Sequence, residues 1–191
     1  MHSQIVTAMS VDPLSGMLLG ATQVLSPHQD ARPPECTIDL VVVHGISVPP
    51  GQFGGPWIDQ LFSGDLSAAV QARLGIQGSG RVSAHALIRR DGVIHQYVPF
   101  GARAWHAGRS SYGERTACND FSIGIELEGT DELPYEDVQY SILAALIQAL
   151  CVAYPTLQAQ RVVGHSDIAP GRKSDPGPAF DWGRLRALLA G

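Results

Sequence analysis

Residues 37–44 read TIDLVVVH, and this run decides the fold. Leu40 to Val43 is an unbroken apolar stretch, rich in β-branched residues, which predicts a strand buried on both faces. Such a strand belongs inside a sheet with helices packed on it. The run ends at His44, and the Pro/Gly-rich loop VPPGQFGGPW (48–57) follows closely.

Outward from this strand the pattern alternates between two periods. PWIDQLF (56–62) starts a short helix at Pro56, where proline is tolerated. DLSAAVQARL (65–74) has a helix-like composition and GIQGSG (75–80) a flexible one. SAHALIRRDGVIHQYVPF (83–100) reads as a hairpin about Asp91-Gly92, the strongest short turn signal. FSIGIELEG (121–129) alternates as a strand, with Ile123, Ile125 and Leu127 facing one way and Gly124, Glu126 and Glu128 the other. From Tyr135 to Tyr154 the period turns helical, with Val138, Ile142, Leu146 and Leu150 on the expected buried face. RVVGH (161–165) is a further strand, and 181–190 a terminal helix capped by Asp181. The order predicts an α/β fold: a central mixed β-sheet flanked by helices. Residues 1–16 read as a weakly ordered extension and 17–191 as one domain.

Charge and composition exclude several classes. The chain carries 13 basic and 18 acidic residues, with no Lys/Arg run, so no nucleic-acid partner is expected. The longest apolar segment, ILAALIQALCVAY (142–154), is interrupted by Gln148 and falls short of the roughly 20 residues a spanning helix needs. The N-terminus lacks the pattern of a signal peptide. A cytoplasmic protein with no membrane partner is therefore expected, with a monomer favoured. Cys36, Cys118 and Cys151 are too widely spaced for a disulfide framework or a thiolate metal site.

The chemistry concentrates at strand ends. His44 closes one strand, Glu126 lies in a second and His165 closes a third. In open α/β sheets ligands bind there. The loop after His165, SDIAPGRKSDPGP (166–178), is too rich in proline and glycine for a helix and brings Lys173 and Asp175 near it. Two imidazoles and a carboxylate form a known catalytic zinc set with one position left for water. Glu126 could then serve as general base and Lys173 as the cation facing a developing oxyanion. The two histidines lie far apart in sequence, and no HExxH helix imposes their proximity.

The blocks VVVHGIS, PPGQFGGPWI, RVSAHALIRRDG, QYVPF, RAWHAG, CNDFSIGIELEGTD and GHSDIAPGRKSDPGPAFDW together resemble the AmpD family of zinc amidases, related to phage lysozyme-type amidases and peptidoglycan recognition proteins. The resemblance runs from about Gly20 to Leu188. It implies zinc (Zn²⁺) held by His44, His165 and Asp175, with Glu126 as catalytic carboxylate and Lys173 as carbonyl-polarising cation. It also implies an anhydro-muropeptide substrate, cut between the lactyl carbonyl of 1,6-anhydro-N-acetylmuramic acid and L-alanine during cytosolic wall recycling. Two departures stand out. The family commonly reads His-Asn-Ile-Ser where this chain has His44-Gly45-Ile46-Ser47, which removes one possible substrate contact; restoring asparagine there is expected to lower KM. The connection from Arg109 to Cys118 is shorter and differently charged than the family's.

Trp105 and His106 are expected to contact the sugar, and Arg81 and Asn119 the substrate's carboxylates and amides. His85 reads as structural, and His2, His28 and His95 as surface residues. Asp167 suits a cap or an orienting partner for a histidine, and Trp57 and Trp182 suit packing. Two other readings compete. A non-catalytic muropeptide-binding module would share the fold but usually lose a metal ligand, and all three are present. A periplasmic amidase acting on intact wall would need an export signal.

Overall fold

The computed structural model describes residues 9–76 and 81–191. The strands in chain order are β1 (Thr22–Gln23), β2 (Gln29–Asp30), β3 (Leu40–Ile46), β4 (Ala86–Ile88), β5 (Ile94–Gln96), β6 (Arg103–Ala104), β7 (Ser111–Tyr112), β8 (Arg115–Thr116), β9 (Ser122–Glu128) and β10 (Val162–Gly164). The helices are α1 (Trp57–Ser63), α2 (Ala68–Arg73), α3 (Asp137–Ala153), the single turn α4 (His165–Ile168) and α5 (Trp182–Ala190). Among the described residues the main sheet has six strands in the order β1-β5-β4-β9-β3-β10. Only the β4–β5 hairpin is antiparallel within it. The sheet is mixed, as the sequence predicts.

The TIDLVVVH run becomes β3, second from the edge. Leu40, Val41, Val42 and Val43 are each no more than 1% exposed. Burial of such side chains contributes roughly 1.5–3 kcal/mol apiece, which is why this strand cannot sit with one face wet. The two faces build different layers. Val41, Val43, Ile123, Ile125 and Leu127 pack with α3 and with Leu185 of α5. On the other face Leu40 and Val42 meet Ala107, Cys118, Phe121 and Ile168. Further along that layer Leu87 and Tyr97 pack against Ile58, Leu61 and Phe62 of α1.

β9 pairs in parallel with both β3 and β4, so all seven of its residues are buried. The expected alternation is there, but neither face is wet. The helix α3 departs from the predicted face. Leu143, Leu146, Ile147 and Leu150 are buried, whereas Val138 is 39% exposed and Ile142 and Ala145 are intermediate. A row at spacing four drifts around a helix of 3.6 residues per turn, so its first members rotate out of the contact.

Contacts with the rest of the domain begin before residue 17. Val11 bridges to Leu18 and joins the core with Met9 packed against it. Of the stretch 1–16, expected to be a weakly ordered extension, Met9 and Val11 thus pack on the core, while Leu14 is 96% exposed. Residues 1–8, with His2, and residues 77–80 of the GIQGSG tail lie outside the described residues. Residues 105–120 lie between β6 and β9. They contain the β7–β8 hairpin and a 3-10 turn at Cys118–Asp120.

Candidate metal centre and catalytic cleft

Three parallel strands end side by side. Register pairs His44 with Glu126 and Val43 with Gly164, the residue before His165. Side chains of paired residues on neighbouring strands share a face, so His44 and Glu126 project together, roughly one strand spacing (about 4.8 Å) apart. At Gly164 the chain leaves the sheet and turns into α4. Asp167 Oδ2 accepts from Gly164 N at 2.7 Å and so caps this turn, fixing where His165 starts. The loop beyond then returns, with Ser166 N donating to Asp175 O at 3.0 Å. That bond brings Asp175 to the two histidines.

The donor atoms converge. His44 Nδ1 lies 3.0 Å from His165 Nδ1, and each lies 3.1 Å from Asp175 Oδ2. His44 and His165 are 2% and 3% exposed. A cavity of about 190 Å³ opens on them, walled also by Gly45, Ser83, His106, Glu126 and Lys173. Every predicted metal and catalytic residue faces this one space.

The hydrogen-bond partners of the imidazoles decide what they offer to it. His165 Nε2 is 3.1 Å from Ala107 O, which can only accept and lies nearer than the Arg172 guanidinium at 3.4 Å, so this nitrogen carries the proton and Nδ1 presents a lone pair. His44 Nε2 meets His106 Nδ1 at 2.9 Å. Burial pushes the pKa of His44 down to about 4, against the pull of Asp175, so it is neutral near pH 7. Two nitrogen donors and a carboxylate oxygen facing one another fit a divalent cation of the zinc class, since such a cation relieves their mutual repulsion.

Glu126 is 8% exposed, and its Oε2 has no hydrogen-bond partner among the described residues. Burial, and secondarily the nearby negative charge of Asp175, push its pKa well above the usual carboxylate range, while Lys173 pulls the other way. A buried carboxylate without a partner is poised to exchange a proton. Glu128, two residues on, is committed elsewhere. Its Oε1 accepts from Gly54 N at 2.7 Å and from Arg89 at 3.2 Å, and Arg89 also pairs with Asp59 at 2.8 Å. Asp59 in turn takes Tyr97 and His95 at 2.5 and 2.8 Å. This network ties the 48–55 loop and α1 to the sheet and leaves Glu126 alone to the cavity.

The expected substrate contacts divide. His106 lines the cavity, but both of its ring nitrogens are engaged, Nδ1 with His44 and Nε2 with Ser122 Oγ at 3.2 Å. Asn119 Oδ1 accepts from the backbone of His106 and Ala107 at 3.2 and 2.8 Å. Trp105 stacks on His28 at 5.9 Å and donates to Asp30. Arg81 is exposed, next in sequence to Val82 and Ser83 of the cavity wall. The structure thus gives His106 and Asn119 partners inside the protein that sequence reasoning had not foreseen. His85 is buried and structural as expected, bonded to Gly124 N. His28 and His95, expected at the surface, are half-buried. Arg115 pairs with Asp39 and lies over the Phe121 ring.

Three contributors escaped the sequence reading. Arg172 donates to Ala107 O at 2.6 Å and to Arg109 O at 2.8 Å, bracing the carbonyl that orients His165. Ser122 receives His106. Gly124 leaves room for it, because a Cβ there would overlap the His106 ring. A glycine inside a strand is a signal of close approach and could have marked that spot. Gly45 has a similar reason. A Cβ there would overlap the hydroxyl of Tyr135, which donates to Pro176 O at 2.9 Å beside Asp175. An asparagine at 45 would have to displace that hydroxyl before it could reach a substrate, a cost that opposes the expected fall in KM.

Comparison with known proteins bears on this geometry. A family model described as N-acetylmuramoyl-L-alanine amidase matches residues 34–178. The chain is 59% identical over 175 residues to the 1,6-anhydro-N-acetylmuramyl-L-alanine amidase AmpD of Escherichia coli K12, covering 92% of this chain and 95% of that protein. It superposes on a crystal structure of a selenomethionine AmpD derivative with a TM-score of 0.88 at 58% identity, over 95% of this chain and 99% of that one. A complex of E. coli AmiD with the substrate anhydro-N-acetylmuramic acid-L-Ala-D-gamma-Glu-L-Lys gives a TM-score of 0.56 at 28% identity, over 95% of this chain and 65% of that one.

Proposed function

Because this chain belongs to the N-acetylmuramoyl-L-alanine amidase family, we propose that it hydrolyses the amide between the lactyl group of 1,6-anhydro-N-acetylmuramic acid and L-alanine in muropeptides. The observation that carries this reading is the convergence of His44 Nδ1, His165 Nδ1 and Asp175 Oδ2 beside the unpartnered carboxylate of Glu126. The donor set suits zinc, with His44, His165 and Asp175 as its holders. When bound, a zinc ion supplies the Lewis acidity that makes water nucleophilic near neutral pH and polarises a carbonyl.

The chain's own groups do the rest. Glu126 takes a proton from the attacking water and returns it to the nitrogen of L-alanine as the C–N bond breaks. Its raised affinity for a proton suits both halves of that transfer. Lys173, exposed on the rim of the cavity, faces the charge that develops on the lactyl carbonyl oxygen. The products are a free lactyl carboxylate on the sugar and a peptide with a free L-alanine amine. We place this reaction in cytosolic muropeptide recycling, a reading that rests on the resemblance to AmpD. No helix among the described residues is long and apolar enough to cross a membrane.

The test is to incubate the zinc-loaded protein with anhydro-muropeptides and, separately, with intact peptidoglycan, and to identify products by mass. Release of the stem peptide from anhydro-muropeptide is expected. Binding without any change in mass would instead identify a non-catalytic module.

A further inference from the structure

We propose that His106 is a positioning residue for the metal centre, locked by Ser122 in the one tautomer that turns the lone pair of His44 Nδ1 toward the metal. This rests on the reading of His44 as a metal ligand. It follows from counting protons along a chain of bonds. Ser122 has a single hydroxyl proton, and its Oγ lies 2.6 Å from Cys118 O, an atom that can only accept. The proton is spent there, so Ser122 Oγ accepts from His106 Nε2 at 3.2 Å. His106 Nδ1 is therefore a lone pair, and it accepts from His44 Nε2 at 2.9 Å. With its proton on Nε2, His44 must present a lone pair at Nδ1.

The surroundings hold this chain in place. Gly124 lacks the Cβ that would overlap the His106 ring. Asn119 Oδ1 clamps the backbone amides of His106 and Ala107. The buried guanidinium of Arg32 donates to the carbonyls of Asn119, Asp120 and Ser122 at 2.9, 3.0 and 2.9 Å. The same short segment thus orients both histidines, His44 through the His106 ring and His165 through Ala107 O. Partners of this kind select tautomer and ring angle in metal sites, and losing one typically costs 10–100-fold in metal affinity.

Two isosteric replacements separate this role from substrate contact. In His106→Asn, Oδ1 takes the place of Nδ1 as acceptor for His44; His106→Leu has the same shape and no acceptor. Zinc affinity is measured on the full chain by competition with a chromogenic chelator, with KM and kcat at saturating zinc. The expectation is a roughly 10–100-fold weaker zinc affinity for His106→Leu, near wild-type affinity for His106→Asn, and unchanged KM in both. Wild-type zinc affinity with a raised KM in His106→Leu would overturn the proposal. If His106→Leu fails to fold, nitrogen-15 NMR of the metal-free wild type decides. Protons on Nε2 of both His106 and His44 are expected, with the preference lost in Ser122→Ala, and a proton on His106 Nδ1 in the wild type would contradict it. The control His44→Ala tests the ligand reading separately, since undiminished zinc binding there would remove His44 from the site whatever His106 does.

Discussion

At the scale of single residues, the two glutamates of β9 show what decides a role. Both project from the same face, and alternation cannot choose between them. The choice is made by Arg89, which binds Glu128 from just beyond β4, and by the absence of any partner on Glu126 Oε2 among the described residues. Glu126→Gln is expected to abolish most turnover while zinc content stays at one ion per chain, read by metal analysis. It should also stabilise the metal-free protein near neutral pH. The sign follows from linkage: a carboxyl whose pKa is raised on folding binds its proton more tightly in the folded state, so stability falls as pH rises above the unfolded value of about 4.3. Thermal melts of the metal-free wild type should therefore lose stability as pH rises through that window, and the Gln variant should lose less. Glu128→Ala should instead cost roughly 1–3 kcal/mol of stability in denaturant melts, by removing the acceptor of Gly54 N and one of the two carboxylates on Arg89, which keeps Asp59. Lys173→Met should leave zinc bound and lower kcat by on the order of 10²–10³. That His44, Glu126, His165, Lys173 and Asp175 share one cavity was legible, because histidines near strand ends and a rigid loop are local features, reinforced by resemblance. The pairings that made His106 and Asn119 internal were not, since they depend on which atoms the fold brings within 3 Å.

At the scale of elements, the sheet was legible and the orientation of what packs on it was less so. An apolar run such as Leu40–Val43 specifies a buried strand by itself, and Asp91-Gly92 specifies a turn, with Gly92 at φ +86. The buried face of α3 depends on which ridge meets the sheet, and that is a tertiary choice. The loop carrying Lys173 and Asp175 is held from outside itself, by Arg172 on one side and by Tyr135, at the approach to α3, on the other. Tyr135→Phe removes only the hydroxyl bond to Pro176 O. It should cost about 1 kcal/mol in denaturant melts and weaken zinc binding without abolishing it, because Asp175 keeps its backbone bond to Ser166. Zinc affinity equal to wild type would show that the loop holds its shape unaided.

At the scale of the whole molecule, the core and the site are separable. Apolar layers cover both faces of the sheet, and the proposed ligands sit apart from them, on β3, just after β10 and on the loop that follows α4. The fold should therefore survive removal of metal, unlike small zinc domains that unfold without it. Saturating zinc at about 100 times its dissociation constant should add roughly 2.7 kcal/mol of apparent stability. In the proposed mechanism His44, His165 and Asp175 hold a metal that Glu126 and Lys173 use to cut the lactyl–alanine amide. This mechanism is tested most directly by following mass release of stem peptide from an anhydro-muropeptide before chelation, after complete chelation, and after zinc is restored. The expected results are cleavage, its loss with circular dichroism unchanged, and its return. Full activity in protein shown by metal analysis to be metal-free would contradict it.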